Sequence, residues 1–155
     1  MRATSWKLAT FIFFNFMSES ILARPACYNA SNPQAITIKE SEGKESKESA
    51  STAKAIWENE ATDQDGVLVP AYIKLNAQSK NLRFSTMALR FPDGEPDKYY
   101  VECDGGFLTL VKTGTRLKLN STYLAGEIQS SNDDGCGMGE VKFKDLILEK
   151  TNCPQ

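Results

Sequence analysis

The sequence predicts an all-β, disulfide-bonded domain, an antiparallel β-sandwich or jelly roll, with a closed β-barrel as the alternative form. Three observations carry that expectation. Runs of alternating apolar and polar residues recur from Gly66 onward. Clusters of Gly, Pro, Asp and Asn separate them at short intervals, which spaces out about seven strands. The chain also holds four cysteines, an even number suited to bridges in an oxidising compartment.

Residues 1–23 read as a cleavable secretory leader. Arg2 and Lys7 precede a short apolar run from Leu8 to Met17, and Ala23 is a small residue fit for cleavage. The run is about half the length a membrane-spanning helix needs. No later stretch is apolar enough to span, so the chain is expected to be extracellular, without a membrane anchor.

Residues 24–54 are expected to form a polar arm and a flexible segment. Asn29 to Gln34 is turn-like, and Ala35 to Ile38 is a brief β-like run. Lys39 to Lys54 is dense in Lys, Glu and Ser, with no apolar side chain larger than Ala. Such a composition buries too little surface to offset its ordering entropy.

Residues 55–153 are expected to form the β domain. Ala55 to Ala61 suits a helical turn or a strand entry and carries Trp57, a large aromatic anchor. Val67, Val69, Ala71, Ile73 and Leu75 share one face by two-residue alternation, and Pro70 suits an edge or a bulge. Asn76 to Lys80 is read as a turn. Leu82 and Phe84 lie on one face of the next run, but Met87, Leu89 and Phe91 lie on the other. That shift implies a bulge or burial on both faces.

Pro92 to Asp97 is turn chemistry. Tyr99, Val101 and Cys103 alternate before a turn at Asp104 to Gly106, and Phe107 to Val111 follows as a strand. After the Thr113 to Thr115 turn come Leu117 to Asn120 and Tyr123 to Ile128. Ser130 to Gly139 is a polar, glycine-rich loop, and Val141 to Leu148 closes the domain. Gly139 to Leu148, followed by Cys153, is similar to the closing strand of extracellular jelly-roll modules. That resemblance bears on fold class alone.

The expected bridges are Cys27–Cys153, joining the arm to the C-terminal segment, and Cys103–Cys136, although three pairings are compatible with four cysteines. Two sequons, Asn29-Ala30-Ser31 and Asn120-Ser121-Thr122, are possible glycan acceptors. Asn29 sits in the polar arm. Asn120 is expected at a strand end, and would serve if that turn faces water.

The chain contains no histidine, which removes the Ser-His-Asp triad, the Cys-His dyad and histidine metal centres together. Remaining chemistry would have to come from carboxylates, but Asp63, Asp65, Asp93, Asp97, Asp104, Asp133 and Asp134 all fall in segments explained by turn formation. Setting Gly66 at the sixth position of a calcium loop puts Ala61 first and Tyr72 twelfth, both unsuited as ligands. The loop at Gly135 fails in the same way. Gly135 to Gly139 lacks the lysine of a phosphate cradle. No metal or cofactor is therefore expected.

The leader contains Arg2, Lys7 and Glu19, leaving 16 basic and 19 acidic side chains, a balance that gives no reason to expect nucleic acid. The expected function is that of a secreted, non-enzymatic binding domain for an extracellular protein or glycan. One alternative is a carrier of small hydrophobic ligands, a lipocalin-like barrel whose cavity Trp57, Phe84, Met87 and Phe107 would line. Another is a matrix or mineral-associated component acting through its acidic loops and the Lys/Glu/Ser tract.

Overall fold

The computed structural model describes residues 25–41, 46–62, 64–130 and 136–155. The expected leader lies outside them, as do Asp63, Asp133 and Asp134. Two-residue alternation becomes strand almost throughout. The strands are β1 (Ala26–Ala30), β2 (Ile36–Glu40), β3 (Lys47–Ser49), β4 (Thr52–Glu58), β5 (Ala61–Thr62), β6 (Leu68–Val69), β7 (Tyr72–Gln78), β8 (Leu82–Leu89), β9 (Lys98–Tyr100), β10 (Gly106–Thr113), β11 (Arg116–Ser130) and β12 (Cys136–Thr151). No helix among the described residues is long and apolar enough to cross a membrane.

The strands form an antiparallel sheet that closes on itself. β1 pairs with β4, β4 with β7, and β7 with β8. The ladder continues through β9, β10 and β11 to β12, which pairs back with β1. The closing seam sets Cys27 opposite Thr151 and Ala30 opposite Leu148. Beyond a short 3₁₀ turn at Pro33–Ala35, β2 continues along the same edge of β12, Ile38 opposite Val141. A β5–β6 hairpin forms a separate small ribbon. The all-β antiparallel fold is thus the one expected, and the closed ladder gives it a barrel-like form.

Alternation assigns the two faces of the wall. Ile73, Leu75 and Ala77 of β7, Leu82, Phe84 and Ala88 of β8, and Leu117, Leu119 and Leu124 of β11 are buried in one contiguous apolar cluster. Tyr28, Tyr99, Ile36 and Leu148 join it. Trp57 packs against the cluster, as an aromatic anchor should, and its Nε1 donates a 2.9 Å hydrogen bond to the Tyr99 hydroxyl. Lys112 Nζ lies 5.0 Å from the centre of the Trp57 ring. Tyr72 donates from its hydroxyl to Glu58 Oε2. That bond, helped by burial and the carboxylate's charge, pushes the Tyr72 pKa up to about 12.

Several sequence expectations change. Most of the Lys39–Lys54 tract, read as flexible, is ordered in β2, β3 and the start of β4 (residues 42–45 lie outside the described residues). Long-range hydrogen bonds supply what the tract lacks in apolar surface. Glu48 accepts from the Ser79 hydroxyl, and from the side-chain and backbone nitrogens of Asn81 at 2.7 and 3.1 Å. These donors, Ser79 first, hold the Glu48 pKa below its ordinary value. The turn read at Asn76–Lys80 is narrower, because β7 continues to Gln78. The two runs either side of Ser121 are one strand, β11, so Asn120 lies within a strand. Val67, Leu68 and Val69 are exposed, whereas Ala71, Ile73 and Leu75 are buried. Pro70 separates the two sets.

One glycine controls the geometry of the wall. β8 pairs with Tyr100 of β9 at Leu89, but its first half, Leu82–Ser85, pairs directly with Ser130–Glu127 of β11. Gly126 sits where those strands draw apart to admit β9 and β10. A Cβ there would lie 2.4 Å from the Ser85 carbonyl oxygen and 2.6 Å from the Phe84 ring, so only hydrogen fits.

Candidate functional site

Outward positions on a barrel wall are ordinarily polar, since they face water. From β8 to β11 this wall departs from that rule. The register places Leu89 opposite Tyr100, Tyr100 opposite Phe107, and Phe107 opposite Tyr123. These four side chains form a row across four neighbouring strands. Phe91 extends it: ring centres are 6.1 Å apart for Phe91–Tyr100 and 5.7 Å for Tyr100–Phe107. The tilted rings, at 41° and 43°, match the geometry aromatic quadrupoles favour. Lys98 Nζ stands 5.0 Å from the Phe107 ring centre and is paired with Glu95 at 2.8 Å. Despite these contacts the row stays wet, with Phe107 41% and Tyr123 43% exposed.

An open cleft flanks the row on each side. One, of about 820 Å³, lies over the junction of β8 and β11, with Met87, Leu89, Tyr123 and Met138 on its walls. Met87 is 47% and Met138 55% exposed, and thioethers suit a surface that must adapt to a partner. Glu102 and Glu127 add negative charge, and Lys74 positive. The other cleft, of about 730 Å³, lies over β2, β10, β11 and β12. Phe107 supplies its exposed apolar surface over a floor that includes the core residue Phe143, and Asn120, Lys142 and Lys144 are among its polar residues.

The Cys27–Cys153 bridge is formed, tying β1 to the segment after β12. Cys103, expected to pair with Cys136, is instead a free, exposed thiol at the edge of the first cleft. Cys103 and Asp104 both have φ of 58°, a left-handed turn that carries the thiol out toward solvent. Cys136 opens β12 opposite Gln129, and its side chain lies outside the described residues. Asn29 is exposed on β1.

The four residues expected to line an internal cavity do not converge. Phe84 is buried in the core, Trp57 is engaged with Tyr99, and Met87 and Phe107 face outward. The barrel interior around Phe84 is occupied by packed side chains, so the cavity expected for a carrier is not built from these residues. The doubled apolar faces of Leu82–Phe91 come from neither a bulge nor two-sided burial. β7 and β8 pair in regular register, and Met87 and Leu89 are the outer face of the site. Sequence reading missed Tyr100, Tyr123 and Met138. The strands of Tyr100 and Tyr123 were legible, but their adjacency depends on cross-strand register; Met138 fell in the segment read as a loop, whereas β12 begins at Cys136 and sets it opposite Glu127.

Among the described residues no group of acidic or cysteine side chains is arranged to hold a metal ion. No protein-family model, curated protein or solved structure matches this chain.

Proposed function

We propose that this chain is a secreted, non-enzymatic binding domain that recognises an extracellular protein through the aromatic row on its outer wall. The observation that carries the reading is the alignment of Leu89, Tyr100, Phe107 and Tyr123 across four strands, bordered by the exposed thioethers of Met87 and Met138. Aromatic residues and Met are enriched at protein interfaces because they bury much area at small entropic cost. The core is complete without them, so packing alone gives no reason for their placement. The leader-like N-terminus and the Cys27–Cys153 bridge support passage through an oxidising pathway.

The test uses full-length protein expressed in eukaryotic cells and recovered from the medium. It is screened against a panel of extracellular proteins and a glycan array, beside a Tyr100→Ala/Tyr123→Ala variant. The expected result is a protein partner whose affinity falls at least about ten-fold in the variant, with the melting temperature of the free domain little changed. Retention inside the cell, binding confined to glycans, or a partner indifferent to both substitutions would overturn the reading.

A further inference from the structure

The second cleft contains its own attachment point. Asn120 lies in β11 where the pairing with β12 is irregular on both sides of Ser121, and its side chain reaches the outer wall. There its Oδ1 accepts a 2.7 Å hydrogen bond from the backbone nitrogen of Asp145, a residue in left-handed conformation with φ of 52°. The carboxamide is thereby fixed with its oxygen toward β12. Among the described residues its Nδ2 donates no hydrogen bond. Thr122, the hydroxyl residue the sequon requires, is exposed. Phe107 offers exposed apolar surface in the same cleft, and Thr37, Thr109 and Lys142 provide polar groups.

We infer that Asn120 carries an N-linked glycan whose first sugar packs in this cleft against Phe107. The inference rests on the secreted reading above. In the transfer, Asn120 Nδ2 forms an N-glycosidic bond to the anomeric carbon of an N-acetylglucosamine supplied as a lipid-pyrophosphate-linked oligosaccharide. The bond from that carbon to pyrophosphate oxygen breaks, Nδ2 gives up one proton, and the lipid pyrophosphate leaves. Attachment precedes folding, so half-burial of Asn120 is no obstacle provided the folded wall has room for the sugar, and the open cleft of about 730 Å³ supplies it. A pyranose presents a C–H face that lies well on an aromatic ring, while its hydroxyls and acetamide can meet Thr37, Thr109 and Lys142. The glycan covers one flank of the aromatic row. A protein partner is thereby directed to the other flank, at Met87, Tyr123 and Met138.

Full-length wild type, Asn29→Gln and Thr122→Ala are each secreted from eukaryotic cells, and their denatured masses are measured before and after enzymatic deglycosylation. Thr122→Ala removes the sequon and keeps the Asn120–Asp145 hydrogen bond, so its folding is not confounded by loss of that contact. The expected result is a glycan in Asn29→Gln that maps to Asn120 and is absent when Thr122→Ala is added. Its enzymatic release from native protein should quicken about three- to ten-fold in Phe107→Ala, the range an aromatic contact supplies. A secreted protein bare at Asn120 overturns the inference and leaves the secreted reading intact. Equal release rates in wild type and Phe107→Ala overturn the packed sugar. Failure of every form to reach the medium overturns the secreted reading and this inference with it.

Discussion

Replacing Cys27 and Cys153 together by alanine should remove about 5 kcal/mol of stability on the chain-entropy model. The bridge joins residues separated by 126 positions in the sequence. A loop that long deprives the unfolded chain of about 16 cal/mol/K of entropy, which at room temperature gives that figure. The folded state loses little in exchange. Cys27 is buried and alanine fills most of its space, while Cys153 is exposed. Backbone pairing of β1 with β12 across the seam does not depend on the bridge. With a urea slope of about 2 kcal/mol/M, the unfolding midpoint should fall by about 2.5 M. The assay is equilibrium urea unfolding followed by Trp57 fluorescence and, independently, by far-ultraviolet circular dichroism. Native-state hydrogen exchange should also show the most protected amides losing the same free energy wherever they lie in the barrel, because the bridge acts on the unfolded chain that they all share. A loss below about 1 kcal/mol, or loss of protection confined to residues 27–30 and 148–151, would refute the view that the bridge acts on the unfolded chain.

Gly126→Ala forces a methyl group against the Ser85 carbonyl and the Phe84 ring, and should cost about 1–3 kcal/mol in the same unfolding assay. A neutral result would mean that β8 and β11 are farther apart than described. Glu48, whose folded pKa lies below the ordinary 4.5, contributes stability that is present above the unfolded value and lost as pH falls through the folded one. Wild type should therefore lose more stability than Glu48→Gln between about pH 5 and pH 2 in thermal unfolding, and parallel curves would contradict the Ser79 and Asn81 contacts. Tyr72, with a folded pKa of about 12, contributes stability that is complete below the ordinary 10.0 and disappears as pH rises through 12. In Glu58→Gln its ionisation, followed by ultraviolet absorbance, should move down toward 10.0, and an unmoved titration would remove Glu58 as the main cause.

Period-two patterning made the strands of the second half legible, because a wall with water on one side imposes alternation residue by residue. Leu117, Leu119, Ile73 and Leu75 follow that rule and are buried. Composition misled at residues 46–54. Lys47 to Ser49 has no apolar anchor of its own, and its strand is held by Glu48 reaching Ser79 and Asn81, more than thirty residues away. Local composition carries no trace of such a contact. The same limit applies to Cys103, whose thiol direction depends on a left-handed turn, and to Asn120, whose outward placement depends on irregular pairing in mid-strand.

By itself the sequence determined the all-β class, the turns at Pro92–Asp97 and Thr113–Thr115 and the absence of histidine chemistry, whereas the choice of Cys27–Cys153 among three possible pairings came from the fold. The class, the turns and that absence follow from residue type and short-range spacing, which act within a few bonds of the chain. Only the tertiary structure decided that the sheet closes through β1 and β12, that Phe84 turns into the core while Met87 and Phe107 turn out, and that Tyr100, Phe107 and Tyr123 stand side by side. Register between strands decides those matters. A slip of one residue exchanges the inner and outer faces, and the energy that prevents it comes from burial across the whole barrel.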